Sequence, residues 1–328
     1  MKILDRDIAP IGMGCWAIGG PFQAGGESWA YSTANDTESV ATIHAAVDAG
    51  IQVFDTAPAY GAGHSERLLG KALKGNHDVV LVSKIGLSID EKQRSILGED
   101  IDPQRVPLAV DATLERLQRD RLDIMFLHLN TLAIDKAQGI FEALDKLVTT
   151  GKVGTYGWST DFPANVDAMA NDKNFTCVEH GMNIFMDVPT IQATVQKHQL
   201  TAFIRSPLAM GVLTGKYTAD SVQPDSDIRA SGAAWLEYFQ NARPSARYLK
   251  NLEALRELLQ SDGRTLTQGA LCWLLSKSDK NLPIPGARTP AQVIENAAAM
   301  QFGPFSDSIM KEMELLIERP PEGEPRER

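Results

Sequence analysis

Short apolar runs alternate with amphipathic stretches along the chain, and this alternation predicts most of its elements. Runs rich in β-favouring residues predict strands at 51–54, 79–84, 122–128, 153–159, 176–183, 200–206 and 281–286, with a weaker run at 8–16 that Pro10, Gly12 and Gly14 interrupt. Stretches of helical period predict helices at 37–50, 104–118, 140–152, 189–199, 265–277 and 289–300. Gly50 and Gly151 stand near the ends of two of these helices, where glycine commonly caps a C-terminus.

Eight strands that alternate with helices are typical of a parallel sheet, and right-handed crossovers close such a sheet into a (β/α)₈ barrel. An open, doubly wound sheet is the alternative. That fold is disfavoured because the glycines of GMGCWAIGG (12–20) lack the Gly-x-Gly-x-x-Gly spacing that follows the first strand of a dinucleotide-binding sheet. We therefore expect a single-domain barrel.

One connection is too long for an ordinary loop. It runs from the seventh predicted strand to a helix beginning near Ser245, and loops of this length usually bind or cover a ligand. We expect the barrel to occupy residues 1–317, including a C-terminal helix. Residues 318–328 are rich in proline and charge, which predicts a flexible polar tail.

Composition narrows the function classes. The 328 residues carry a net charge of −10, which argues against a surface for nucleic acids or anionic membranes. The first residues carry no apolar run of the length typical of a signal peptide, and no run elsewhere is long enough to span a bilayer, so we expect a soluble, cytoplasmic protein. Cys15, Cys177 and Cys272 are far apart, which predicts free thiols, and the histidines lack metal-ligand spacing. Nothing in the sequence indicates an oligomeric state.

Four reactive side chains follow consecutive predicted strands. Asp55 ends the second strand, with Tyr60 shortly after it, while Lys84 ends the third and His128 the fourth. In a barrel these positions meet at the C-terminal mouth. The set suits proton transfer to a carbonyl oxygen that receives a hydride. An ammonium beside the phenol would stabilise the phenolate, a carboxylate would hold that ammonium, and a neutral imidazole would polarise the carbonyl.

The chain resembles the aldo-keto reductase family. The resemblance rests on FDTAPAYGAGHSERLLGKAL (54–73), VSK (82–84), LDIMFLH (122–128), GWS (157–159), SPLAMGVLTGKY (206–217) and IPGARTPAQVIEN (284–296), in order over nearly the whole chain. It implies a (β/α)₈ barrel that reduces aldehydes or ketones with NADPH. It also implies that Asp55, Tyr60, Lys84 and His128 form the catalytic tetrad, with Tyr60 as general acid.

The same resemblance implies a cofactor site for NADP(H) rather than NAD(H). Arg288 would meet the 2′-phosphate, Gln292 and Asn296 the adenosine, and the N-terminus of the following helix a phosphate. The loop after the seventh strand would wrap the pyrophosphate. The full set of expected cofactor residues is Ser159, Glu179, Arg205, Ser206, Leu208, Gly211, Lys216, Gly286, Arg288, Gln292 and Asn296.

Two of these positions depart from the family pattern. Arg205 stands where members commonly carry an aromatic ring against the nicotinamide, and Glu179 stands where they usually carry glutamine. We expect neighbouring strands to bring the two side by side. The hypothesis is a guanidinium stacked on the nicotinamide and neutralised by Glu179, since arginine stacks on π systems. The alternative is a purely structural ion pair.

The sequence specifies the substrate site and the direction of the reaction less closely than the cofactor site. Trp16, Trp29 and Trp235 would wall the pocket, although the spacing of Trp235 and Phe239 equally suits one face of a short helix. A small carbonyl or alcohol is the expected substrate. Three alternatives remain, namely work in the oxidative direction as a sugar or alcohol dehydrogenase, Schiff-base chemistry at Lys84, and a regulatory barrel with little turnover. An adjacent Asp55 disfavours the Schiff base because it raises the pKa of the lysine.

Overall fold

A computed structural model describes residues 1–31, 34–233, 235–319 and 322. Eight parallel strands lie side by side in chain order. They are β1 (Met13–Gly14), β2 (Val53–Asp55), β3 (Val80–Ile85), β4 (Leu122–Leu127), β5 (Val153–Ser159), β6 (Phe175–Gly181), β7 (Thr201–Arg205) and β8 (Asn281–Pro283). The backbone amides of Gly12 and Gly14 donate to the carbonyls of Pro283 and Pro285, which joins the first strand to the last. The predicted (β/α)₈ barrel is therefore confirmed.

The described residues form ten α-helices around the barrel. They are α1 (Asp36–Asp48), α2 (His64–Ala72), α3 (Val106–Leu117), α4 (Ile134–Thr149), α5 (Pro163–Met169), α6 (Pro189–Lys197), α7 (Ala246–Leu259), α8 (Leu266–Lys277), α9 (Pro290–Ala298) and α10 (Asp307–Leu316). Each predicted helix overlaps an observed one. The pattern did not predict α2 or α5, and α5 has only seven residues and begins with Pro163.

The closure of the barrel depends on a glycine. A Cβ atom at Gly14 would lie 2.6 Å from the carbonyl oxygen of Ile284, far inside contact distance. Inside the barrel, the interior cluster includes Val82, Phe126 and Phe203. The bottom is covered by an N-terminal hairpin whose Ile3 joins the same cluster. Side chains of this interior cluster fix the strands whose C-terminal ends carry the site.

A small accessory sheet, which the sequence pattern did not predict, lies beside the mouth of the barrel. Its strands are Gln23–Ala24 and Glu27–Ser28 from the loop after β1, and Leu87–Asp90 and Ser95–Glu99 from the loop after β3. Gln23 pairs with Ser95, so the two loops form one sheet. The loops after β1 and β3 therefore hold each other in place.

The long loop after β7 does not place Trp235 and Phe239 on one face of a short helix. Trp235 lies in a turn and Phe239 in a two-residue strand that pairs with Arg243–Pro244, so the two do not share a helix. Between Thr214 and α7, the described residues of this loop form one short 3₁₀-helix, at Ile228–Ala230.

The sixth strand is shorter than predicted and ends at Gly181. Asn183 lies beyond it, where its amide donates to Ser206 O and Tyr238 Oη. Most of the predicted flexible tail, 318–328, lies outside the described residues. The described Arg319 donates to the carbonyl of Ile184. Among the described residues, no helix combines the length and apolar character needed to cross a bilayer.

Candidate active site

One cavity of about 670 Å³ opens at the C-terminal ends of the strands. It brings together nearly all the residues singled out from the sequence. Its lining includes Trp16, Trp29, Asp55, Tyr60, His128, Ser159, Glu179, Arg205, Ser206, Leu208, Gly211, Lys216, Trp235, Gly286, Arg288, Gln292 and Asn296. Lys84, the remaining predicted site residue, is completely buried beneath it.

Asp55 and Lys84 form a buried ion pair at the floor of this cavity. The parallel register places Asp55 opposite Val82, two residues before Lys84 on β3. The ammonium donates to both carboxylate oxygens of Asp55, at 2.6 and 2.8 Å, and to the carbonyl of Thr56 at 3.1 Å. The lysine is therefore held by three acceptors and has little freedom to leave the site.

Tyr60 lies between the ammonium and the imidazole. Its ring centroid is 5.1 Å from Lys84 Nζ and 6.1 Å from the ring of His128, to which it is perpendicular. Burial raises the pKa of the Tyr60 phenol, and the nearby Lys84 ammonium pulls that pKa down. The phenol therefore keeps its proton at neutral pH, while a positive charge stands ready to stabilise its conjugate base.

The protonation states of the two basic groups differ sharply. Burial alone would lower the pKa of Lys84, but the charges of Asp55 and Glu179 prevail and raise it. Burial, together with the positive charges of Lys84 and Arg205, holds the pKa of His128 well below its usual range. The site therefore contains an ammonium and a neutral imidazole. A protonated lysine is a poor nucleophile, which disfavours the Schiff-base alternative.

The expected pairing of Glu179 with Arg205 is wrong. The parallel register places Arg205 opposite Gly181, two residues beyond Glu179. Arg205 Nη2 instead contacts Asp161 Oδ2 at 2.5 Å, in the loop after β5. Glu179 turns to Lys84, with Oε2 3.1 Å from the ammonium. Asp161 was not singled out from the sequence because its distance from Arg205 along the chain gave no signal of their contact.

The opposite end of the cavity is cationic. Lys216 and Arg288 line it together with Arg229, which the sequence analysis did not single out and which is paired with the buried Asp227 at 2.6 Å. Burial lowers the pKa of Lys216 to about 8, and the charges of Arg229 and Arg288 contribute to this. Three basic side chains set against the one carboxylate of Asp227 favour an anion. A phosphate group is the ligand that such a cluster suits best.

The N-terminus of α9 adjoins this cationic end. Thr289 caps the helix by accepting from the amide of Gln292, whose own side chain accepts from the amide of Arg288 at 2.9 Å. Asn296, one turn further along, is almost fully buried. The sequence predicts these residues to be near one another, and the structure places them on one wall.

Aromatic rings form the outer wall. Trp16 stacks on Tyr60 with ring centroids 6.2 Å apart, and Trp29 meets Trp235 at 5.6 Å. The indole nitrogens of Trp16 and Trp29 are buried and have no hydrogen-bond partner among the described residues. The three predicted tryptophans therefore reach the cavity from two separate loops.

The accessory sheet adds lining residues that the sequence analysis missed. They are Phe22, Ala24, Leu87, Ile96 and Glu99. Two short β-favouring runs, LSID and SILGE, flank the polar segment EKQR at 91–94, a pattern that could have predicted the hairpin. No group of histidine, cysteine or acidic side chains within the described part of the chain is arranged to hold a metal ion.

Comparison with known proteins agrees with the architecture. A model of the Aldo/keto reductase family matches residues 10–318. Aldo-keto reductase YhdN of Bacillus subtilis is 29% identical over 319 residues, covering 95% of this chain and 91% of that protein. The NADH-specific methylglyoxal reductase of Escherichia coli is also 29% identical, over 340 residues, with coverages of 96% and 97%.

A solved structure shows the same arrangement of elements. The glycerol dehydrogenase of Gluconobacter oxydans superposes with a TM-score of 0.79 at 28% identity, covering 95% of this chain and 92% of that one. The match to the family model spans nearly all of the barrel. The chain belongs to the aldo/keto reductase family of oxidoreductases.

Proposed function

We propose that the protein interconverts a small carbonyl compound and its alcohol, using NADP(H) and Tyr60 as general acid and base. The observation that carries this proposal is the position of the Tyr60 ring, 5.1 Å from the Lys84 ammonium and 6.1 Å from the His128 ring. Tyr60 and His128 line one cavity, with Lys84 buried beneath it, and this cavity is large enough for a small molecule and part of a dinucleotide.

The chain's own residues fit the cofactor at both ends of the cavity. Lys216, Arg229 and Arg288 supply positive charge for phosphates, and Gly211, with φ of 95°, permits backbone approach where a side chain would intrude. Arg205 has a buried Nη1 atom without a hydrogen-bond partner in the described part of the chain. We assign its guanidinium to the nicotinamide, with Asp161 as the neutralising group. When bound, NADP(H) supplies or accepts the hydride.

Tyr60 moves the proton of the reaction. In reduction, its hydroxyl protonates the carbonyl oxygen, and the phenolate that remains is stabilised by the Lys84 ammonium. Asp55 keeps that ammonium charged and oriented through two hydrogen bonds. The neutral His128 orients and polarises the same carbonyl oxygen by donating an N–H. In oxidation these roles are reversed.

The preference for NADP(H) over NAD(H) rests on Arg288 and the neighbouring cations. The relative from Escherichia coli is described as NADH-specific, so family membership alone does not decide between the two. A cluster of positive side chains at one end of the cavity favours the cofactor with the additional phosphate. The presence of all four proton-transfer groups, Asp55, Tyr60, Lys84 and His128, favours an active enzyme over a regulatory barrel.

Relatives are named for both directions of the reaction. One is a methylglyoxal reductase and another a glycerol dehydrogenase. Both names refer to small, oxygen-rich three-carbon compounds, so methylglyoxal and glycerol are the first substrates to assay. The aromatic wall built from Trp16, Trp29 and Trp235 is compatible with such compounds and with larger apolar ones.

The Tyr60→Phe variant tests the proposal. It removes the proton donor without changing the shape of the ring, so kcat for methylglyoxal reduction should fall by about 10²- to 10⁴-fold. Cofactor affinity should stay within about threefold by fluorescence titration, because the phenol hydroxyl acts on the substrate. Tyr156→Phe is the matched control, since the Tyr156 hydroxyl bonds Asp172 outside the cavity. Equal kcat in Tyr60→Phe and wild type would refute the role of Tyr60.

A further inference from the structure

The ammonium of Lys84 is surrounded by more negative charge than a single partner supplies. Asp55 accepts two of its hydrogen bonds, and Glu179 Oε2 lies 3.1 Å from the same nitrogen. The side chains of Lys84, Asp55 and Glu179 are at most 3% exposed. Two carboxylates therefore share one cation in an almost fully buried place.

Glu179 is held in this position by the strands around it. Ser159 lies opposite it in the parallel register of β5 and β6 and donates to Oε1 at 3.2 Å. Its other oxygen, Oε2, receives no aligned hydrogen bond from the described residues. A buried carboxylate oxygen without a donor is costly unless a positive charge lies beside it. The Lys84 ammonium is that charge.

The remaining charged and titratable groups around the pair come from four other places. Tyr60 follows β2, His128 follows β4, Cys15 follows β1, and Arg205 ends β7 with Asp161 as its partner. Asp161 offsets the charge of Arg205 in part, so that Arg205 still lowers the pKa of His128 and interacts with Glu179 and Tyr60; His128 is held uncharged, and burial raises the pKa of the Cys15 thiol. Lys84, Asp55 and Glu179 are the charges that act most strongly on the pKa of Tyr60.

We propose that Glu179 is a further positioning residue of the proton-transfer site, which shares the Lys84 ammonium with Asp55 and thereby limits how strongly that ammonium stabilises a phenolate at Tyr60. The proposal rests on the proposed role of Tyr60 and extends it. The charge of Glu179 opposes the charge of the ammonium at the phenol oxygen, so removal of the carboxylate strengthens the net positive field there.

The directions of the pKa shifts agree with this arrangement. Burial raises the pKa of Asp55, the charge of the Lys84 ammonium opposes this, and the charge of Glu179 adds to it. The pKa of Tyr60 is likewise raised by burial and further by the charges of Asp55 and Glu179. Glu179 thus acts on both neighbours of the ammonium, and each effect has the sign expected of a nearby negative charge.

The test follows the ionisation of Tyr60 directly and needs no substrate. The full-length protein is labelled with ¹³C at the tyrosine ζ carbon, and the Tyr60 resonance is assigned by its loss in Tyr60→Phe. Its titration is compared between wild type and Glu179→Gln, which keeps the shape of the side chain and removes its charge. The midpoint should fall by about one pH unit or more, or become visible below the pH of unfolding where wild type shows none.

Two further variants separate charge from shape. Glu179→Asp keeps the charge and should titrate within about half a unit of wild type, while Glu179→Ala removes the charge without adding an amide and should follow Glu179→Gln. Glu99→Gln is the control, since Glu99 lines the same cavity but is exposed to solvent, which screens its charge. Folding of each variant is checked by circular dichroism.

The outcomes distinguish this proposal from the proposed function. Equal titration of Tyr60 in wild type, Glu179→Gln and Glu179→Ala would overturn the role of Glu179, whatever the turnover. Undiminished turnover of Tyr60→Phe would instead overturn the proposed function and leave the titration result standing as electrostatics alone. A shift in Glu179→Gln that Glu179→Asp does not share supports the proposal.

Discussion

Arg205 and Asp161 form an ion pair that joins the C-terminal end of β7 to the loop after β5, with Nη2 2.5 Å from Oδ2. Asp161 also accepts from the backbone amide of Gly181 at 2.9 Å, so its carboxylate is fixed from two sides. The pair keeps a cation at the floor of the cavity without leaving its charge unbalanced. With Arg205 assigned to the nicotinamide as proposed, the carboxylate of Asp161 offsets the positive charge that would otherwise repel the oxidised ring.

Asp161→Asn should destabilise the protein by about 1–3 kcal/mol, because it leaves the Arg205 charge without its carboxylate in a site that is only 17% exposed. Thermal and urea denaturation measure the loss. Asp111→Asn is the matched control, since Asp111 pairs with Lys152 at the surface, where both side chains are over 40% exposed. That variant should change the free energy of unfolding by less than about 0.5 kcal/mol. Equal losses in the two variants would show that the Arg205 pair is no stronger than a surface pair.

Arg288→Ala should weaken NADPH binding by about 10- to 100-fold and leave NADH binding within about threefold. A hydrogen bond to a charged group contributes about 1.5–3 kcal/mol, and the additional phosphate of NADPH provides the difference between the two cofactors. Fluorescence titration of both cofactors against wild type and variant makes the measurement. Arg247→Ala serves as control because Arg247 is exposed outside the cavity. Equal binding of both cofactors by wild type would contradict the assignment of Arg288.

The positions of the proposed catalytic side chains could be predicted from the sequence because most of them stand at the ends of apolar runs. Asp55, Lys84 and His128 lie at or just beyond the ends of β2, β3 and β4, and parallel strands in chain order must bring such ends together. The prediction needed only the alternation of strands and helices. It did not need any knowledge of side-chain contacts.

The contacts within the site could not be predicted in the same way. Because Glu179 and Arg205 lie on neighbouring strands, the sequence suggested that they pair. In the structure Glu179 is offset from Arg205 by two residues in register, and Arg205 pairs with Asp161 while Glu179 contacts Lys84. The accessory sheet could not be predicted for a similar reason, because its strand pairing joins Gln23 to Ser95, which are separated by most of two βα units along the chain. Register and long-range pairing depend on packing in three dimensions, which a linear pattern does not record.

His180 should make the protein less stable as the pH falls from 7 to 5. Burial lowers the pKa of this histidine from 6.5 to about 4 in the folded state, so the unfolded chain binds the proton more readily. Stability linked to His180 is therefore complete above pH 7 and declines as the pH drops through 6.5 towards 4. The decline between pH 7 and pH 5 amounts to about 2 kcal/mol.

A substitution isolates this contribution from those of other titrating groups. His180→Gln cannot take up the proton, so its free energy of unfolding should fall about 2 kcal/mol less than that of wild type between pH 7 and pH 5. The variant loses hydrogen bonds to Gln192 and Gly181 at both pH values, and this cost cancels in the comparison. Parallel pH dependences in the two proteins would show that His180 is protonated in the folded state as easily as in the unfolded chain.

Trp29 and Trp235 join the loop after β1 to the long loop after β7, and this contact should slow the release of a bound cofactor. Their rings are 5.6 Å apart, and the amide of Ile228 donates to the carbonyl of Ala30 at 2.7 Å beside them. An aromatic pair of this kind contributes about 0.5–1.5 kcal/mol, so Trp29→Ala should speed NADPH release by about 2- to 10-fold in stopped-flow fluorescence. Trp235→Ala should have a similar effect. Because each substitution breaks the same contact, the double variant should release NADPH no faster than the faster single variant. Additive effects would mean that the two rings act separately on the cofactor and that the loops are not coupled through them.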